Sequence, residues 1–174
     1  YATTNNVVGY TNWSEFEKFL LEKGLLDARA KHLKNNFPRT QFREIYSRYA
    51  KTLISSGKSS GIDESSGLEL ELILSENPYT DDLSDGLTIT LLYRGHPITN
   101  TQIEIFSRGS DQEVVRETTF TNELGQVLVP VLRQKDYLVN SVVIRTPEAN
   151  DSLSKDTKPI LWESLWASTT FRVP

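Results

Sequence analysis

The sequence predicts a mostly β protein with a small α segment: an Ig-like antiparallel β-sandwich preceded by two or three short helices. Three observations carry this reading. From Leu68 onward the apolar residues recur with a period of two, as in strands that bury one face. Over residues 13–56 the apolar period is helical. Between the two lies "SGKSSGIDESSG", short, polar and rich in Ser and Gly, which reads as a flexible linker over residues 57–67.

The helical part divides into three. "NWSEFEKFLLEKGLL" opens a helix capped by Ser14, with Glu17 completing a capping box. Phe16, Phe19 and Leu20 share a face, and Gly24 supplies the left-handed stop. "LDARAKHLKNN" predicts a second helix ending before Pro38. "TQFREIYSRYAKTLISS" predicts a third, capped by Thr40. There Phe42, Ile45, Tyr46, Tyr49, Ala50, Leu53 and Ile54 follow the i, i+3, i+4, i+7 rule. Ahead of these, Tyr1–Thr11 reads as extended. A start in mid-strand, without methionine, predicts that residues 1–12 are the terminal strand of a missing or truncated N-terminal β-domain.

The β part, residues 68–174, holds about seven strands. "LELELIL" sets Leu68, Leu70, Leu72 and Leu74 on one face, with Glu69 and Glu71 on the other. "GLTITLLYRG" repeats the habit and turns at Gly95-His96-Pro97. "TQIEIF", "EVVRETTF", "GQVLVP", "YLVNSVVIR" and "SLWASTTFRVP" follow, with "NELG" as a turn between two of them.

Composition narrows the function classes. The 174 residues carry a formal net charge of −4, which predicts no nucleic-acid partner. Cysteine is absent, so disulfides and thiolate metal sites are excluded. No apolar run approaches the ~20 residues a transmembrane helix needs.

Chemistry-bearing residues are few. Trp162 and Trp166, four apart, share one strand face. They read either as a surface or partner platform or as a plug of the sandwich and its junction with the helices. Glu163, on the opposite face, is expected to pair with Arg145 or Arg172 or to face water. The candidate metal ligands are His96, in the tight connection "RGHP", His32, in a lysine-rich helix and expected to face water, and Asp81, Asp82 and Asp85 in "YTDDLSDG". The two histidines stand 64 residues apart, and the aspartates miss the alternating spacing of a calcium loop. Tyr46 and Tyr49 lie on the apolar stripe, with Arg43, Arg48 and Lys51 offset from it toward solvent. No nucleophile elbow, Walker motif or dinucleotide glycine pattern occurs, so no catalytic set is predicted.

Taken in order, "FEKFLLEKGL", "REIYSRYAKTLI", "LELELIL…NPY", "LLYRGHPITNTQIEI", "TNELGQVLVPV" and "WESLWASTTFRV" resemble a bacterial family of exported proteins of unknown function. Some of its members are described as periplasmic components or accessories of nickel and cobalt uptake systems. The resemblance runs from about Trp13 to Val173, the C-terminal portion of such proteins. It implies a carboxypeptidase-regulatory-like or transthyretin-like sandwich and a periplasmic or otherwise exported location. Typical members place a histidine in the strand before "WES"; here the counterpart is Val143, a departure that carries no metal role with it. The resulting expectation is a non-enzymatic binding or accessory module. Its partners would be membrane transport components or other exported proteins, and any nickel or cobalt ion would belong to the full-length protein. The alternative is a structural Ig-like adhesion or spacer module without a small ligand.

Overall fold

The protein is seen in a computed structural model, which describes residues 1–147 and 158–174. In chain order the elements are β1 (Ala2–Tyr10), α1 (Trp13–Glu22), α2 (Leu26–Lys34), β2 (Phe42–Thr52), β3 (Leu70–Leu74), β4 (Leu87–Tyr93), β5 (His96–Pro97), β6 (Gln102–Arg108), β7 (Val114–Phe120), β8 (Gln126–Val129), β9 (Lys135–Arg145) and β10 (Ile160–Val173). The predicted class holds: the chain is mostly β and its sheets are arranged in a sandwich-like way. One sheet has the order β1-β2-β10-β9-β6-β7, and the other the order β3-β4-β5 with β8 also on β4. Two compact units result. The first comprises Tyr1, Tyr49–Ser141 and Ala167–Pro174; the second comprises Ala2–Arg48 and Val142–Trp166.

In the first unit alternation does what it predicts. Leu70, Leu72 and Leu74 of β3 are buried, and they pair in antiparallel register with β4, Leu72 opposite Leu91. Leu87, Ile89 and Leu91 of β4, Val127 and Val129 of β8, and Ile103 and Ile105 of β6 complete the apolar interior. The turn after β4 is Arg94-Gly95, both at positive φ (52° and 78°). That is the two-residue geometry that joins twisted antiparallel strands. His96 therefore begins β5, opposite Tyr93, instead of sitting in the turn. In "NELG" the Asn122 side-chain oxygen accepts from the Leu124 and Gln126 N–H groups. Gly125, at φ 72°, lies where a Cβ would come within 2.7 Å of Pro97. A side chain there would strain the backbone and collide with β5.

The predicted linker is anchored. Lys51 Nζ lies 2.7 Å from Asp63 and 3.2 Å from Glu71, with side-chain exposures of 13%, 8% and 1%. Glu71 also accepts from the Ser66 N–H and the Ser65 hydroxyl, and Asp63 accepts from the Leu74 N–H. Burial raises the Glu71 pKa, but these donors outweigh it and hold the carboxyl below its usual range. Asn77 adds bonds to the Ser59 and Gly61 carbonyls.

The second unit is built on aromatic packing. Asn12, not Ser14, caps α1: its side chain accepts from the Glu15 N–H at 3.2 Å and donates to the Glu15 carboxylate at 2.8 Å. The cap lies two residues upstream because the helix starts at Trp13. Gly24 ends α1 as predicted, at φ 67°, with Gly24 N–H to Leu21 and Leu25 N–H to Leu20 closing a Schellman motif. Asn36 does the same for α2 at φ 51°. Phe16, Leu20, Ala28, Phe42 and Trp162 form the core.

Two expectations fail in this unit. The third helix is the strand β2, whose residues Phe42–Ile45 are all buried. A strand buried on both faces loses its period of two, and aromatic and β-branched residues suit it. Its buried polar groups find partners: Arg43 donates to the Lys158 carbonyl, and Glu44 accepts from the Tyr10 hydroxyl at 2.7 Å and from Ser164. His32 is the second failure. It is fully buried, not solvated, because its ring fills the space between Trp13, Phe42 and Trp162. β1 is the edge of the six-stranded sheet, beside β2.

Both ring nitrogens of His32 are used. Trp162 Nε1–H donates to Nδ1 at 3.0 Å, and Nε2 lies 3.1 Å from the Pro38 carbonyl. An indole only donates, so Nδ1 accepts and the proton sits on Nε2. A second proton on Nδ1 would face the indole N–H. Burial lowers the His32 pKa, the Arg39 charge adds to this, and the Pro38 hydrogen bond opposes it.

Two predictions follow from these contacts. Lys51→Met leaves two buried carboxylates without their cation and should cost about 3–5 kcal/mol. Glu71→Gln should cost less, since Lys51 keeps Asp63; equal thermal shifts for the two variants would refute the pairing. The depressed His32 pKa means that the unfolded chain binds a proton first, so its contribution is complete above about pH 6.5 and is lost as pH falls from there. The stability difference between the native chain and His32→Phe should therefore shrink on acidification, by up to about 1.4 kcal/mol per pH unit. Parallel melting curves of the two between neutral pH and the folded pKa would exclude this.

Candidate functional site

The first unit carries an open cleft of about 580 Å3. Register explains its wall. Phe106 and Arg108 lie two apart on β6 and so share a face; opposite them on β9 stand Leu138 and Asp136, and Val114 on β7 faces Arg108. The alternate residues Ile103 and Ile105 of β6 are buried in the interior. Leu53, just past β2, and Tyr79, between β3 and β4, close one side, tied by a 2.7 Å bond from the Tyr79 hydroxyl to the Leu53 carbonyl. Tyr137 and Phe171 stack with centroids 5.3 Å apart. The Tyr137 hydroxyl accepts from the Leu132 N–H at 2.7 Å, and burial pushes its pKa up.

The charged groups on the lining are Arg108, Asp136 and Arg172. Arg172 lies 3.0 Å and Arg108 3.4 Å from the two oxygens of the one Asp136 carboxylate. All three are about half exposed, so each pair contributes little to stability. Two cations on one anion leave a surplus positive charge at the rim of an aromatic and aliphatic wall. Such a lining suits recognition of an amphiphilic molecule. Among the described residues the lining holds hydroxyls and one doubly paired carboxylate, and no histidine, cysteine or lysine for proton transfer.

The residues singled out from the sequence lie elsewhere. His96 is exposed on β5. His32 is buried with both nitrogens engaged. Asp81, Asp82 and Asp85 are exposed; Asp81 accepts from the Asn77 N–H at 2.7 Å and Asp82 from the Ser84 N–H at 3.0 Å, so two of the three serve the turn. Among the described residues, no three His, Cys, Asp or Glu side chains gather closely enough to hold a metal ion.

Trp162 is 1% exposed, which withdraws it from a surface platform. Glu163 is also buried and takes Arg145 in a two-toothed pair at 2.6 and 2.9 Å, so it too leaves the surface. Trp166 is half-buried, stacks on Phe19 and lies under Lys23 and Arg48. Sequence reasoning missed Phe106, Arg108, Asp136 and Arg172. The signal for the first two was present, since alternation in "TQIEIFSR" sets Phe106 beside Arg108, but their partners come from strands far along the chain.

Among the described residues no helix is long and apolar enough to cross a membrane. No curated protein and no solved structure gives a significant match to the chain. One family does match, over residues 2–145, and the matched stretch takes in β1, both helices and the strands through β9. The chain belongs to the family described as Domain of unknown function (DUF4198).

Proposed function

We propose that the chain is a non-enzymatic, exported binding module whose ligand site is the cleft between Tyr79, Phe106 and Leu138. The observation that carries the reading is the cleft itself: about 580 Å3, within the ~300–1,000 Å3 usual for small-molecule sites, with an apolar wall and a few charges at its rim. That the described residues of the lining include no acid–base pair supports binding over turnover. The exported location and the link to nickel and cobalt uptake draw their support from the family resemblance. In that setting the chain acts as an accessory that presents a bound ligand to transport components or other exported proteins.

The test uses the whole chain and an apolar fluorescent dye such as anilinonaphthalene sulfonate. Saturable one-site binding is expected, abolished by Leu138→Glu, which places a charge on a wall position already 37% exposed. Titration with nickel and cobalt ions should leave the melting temperature unchanged. Dye binding that is absent, or indifferent to Leu138→Glu, would overturn the cleft reading in favour of the spacer module; saturable stabilisation by either ion would place a metal site on the chain itself.

A further inference from the structure

We infer that the ligand of this cleft is an apolar molecule ending in a single carboxylate, taken up between Arg108 and Arg172 in competition with Asp136. This rests on the cleft being the binding site and goes on to name its ligand class. Three observations lead to it.

The first is charge. The chain as a whole carries −4, so a random surface patch is more often acidic than basic. Among the described residues the cleft lining instead carries two arginines against one aspartate. Planar guanidiniums are the side chains best shaped to hold a carboxylate through paired N–H donors. Each arginine has one contact to Asp136 at 3.0 or 3.4 Å, through a single terminal nitrogen. That is fewer than the five donors each guanidinium carries.

The second is placement. Arg108 closes the row in which Phe106 faces Leu138, and the cross-strand partners Val114 and Asp136 flank it. A carboxylate held at Arg108 therefore leaves its apolar tail pointing along the row made by Phe106 and Leu138. Val114 and Leu138 are 61% and 37% exposed, an apolar area that gains by being covered.

The third is the character of Asp136. A buried structural ion triad would be sheltered, as Lys51, Asp63 and Glu71 are. The Arg108–Asp136–Arg172 triad is about half exposed throughout, so it can exchange one carboxylate for another at little cost to the fold. Asp136 acts as a placeholder that keeps the two guanidiniums together while the site is empty.

Calorimetric titration of the full chain with octanoate, octanol and octylammonium tests the class. Octanoate should bind about three- to tenfold more tightly than octanol, as expected for exposed charge pairs. Octylammonium should bind most weakly, and added salt should narrow the gap. Arg108→Gln or Arg172→Gln should bring octanoate down to the affinity of octanol. Asp136→Asn should raise octanoate affinity about threefold and leave octanol unchanged, a gain that misfolding cannot produce. Equal binding of octanoate and octanol, or an Asp136→Asn variant with unaltered octanoate affinity, would overturn the carboxylate while leaving the cleft as the site, provided Leu138→Glu still abolishes binding. Tightest binding by octylammonium would reverse the charge assignment and overturn it too. If none of the three binds and the dye does not either, it is the cleft reading itself that falls.

Discussion

A lysine whose side chain is sheltered from water must bring its counter-charges with it. Lys51 sits near the end of β2, and meeting its ammonium with Asp63 and Glu71 forces residues 57–67 back against β3. Once there, Asp63 accepts from the Leu74 backbone, and Asn77 binds the Ser59 and Gly61 carbonyls. The stretch leading to Tyr79 is fixed from both sides, and Tyr79 in turn bonds the Leu53 carbonyl. One wall of the cleft thus depends on an ion triad that itself lines none of it. The desolvation of three charges is offset only because the backbone and hydroxyl donors fill the remaining oxygen positions. Such a network specifies one arrangement of a segment whose composition by itself favours many.

Much of the fold was legible because the physics involved is local. The strands from β3 onward announce themselves by alternation, and α1 and α2 by their periods, by the left-handed stop at Gly24 and by Pro38 after the second helix. β2 was not legible. Its apolar positions fit a helical template by coincidence of Phe42, Ile45, Tyr46 and Tyr49, and the polar residues between them looked solvated. Arg43 and Glu44 are in fact buried, satisfied by Lys158, Tyr10 and Ser164. Those partners lie up to 120 residues away, where no window of sequence can see them. His32 misleads for the same reason, since Trp162 stands 130 residues on. The cleft is less legible still, for β6, β7, β9 and β10 build it together and only sheet order brings Arg172 to Asp136.

The two closing tryptophans show how a short motif divides its labour. Trp162 gives its ring to the core and its N–H to His32, so an indole that would leave an unpaired donor in an apolar core is fully satisfied. Trp166 sends its N–H to the Ser164 hydroxyl, which itself serves Glu44. The glutamate beside Trp162 answers to Arg145 on β9. Each polar group in the motif thus has a structural partner, and none is left over for an outside ligand to claim.

Buried titratable groups fall into two kinds, divided by what faces them. Glu71 meets an ammonium and several N–H and O–H donors, and its charge is favoured. Glu44 meets the hydroxyls of Tyr10 and Ser164, and burial outweighs them, so its pKa rises. Burial lowers the His32 pKa, and the indole N–H of Trp162 faces the nitrogen that a second proton would occupy. The signs therefore oppose one another within the second unit. As pH rises above about 4.5 the folded state loses stability through Glu44, because the unfolded carboxyl ionises first. As pH falls below about 6.5 it loses stability through His32, because the unfolded imidazole protonates first. The core of that unit favours the neutral form of both groups, and mildly acidic conditions are where the two demands conflict least. A site that must stay charged to hold an anion needs water about its charges, and Arg108, Asp136 and Arg172, in the first unit, are half open to it.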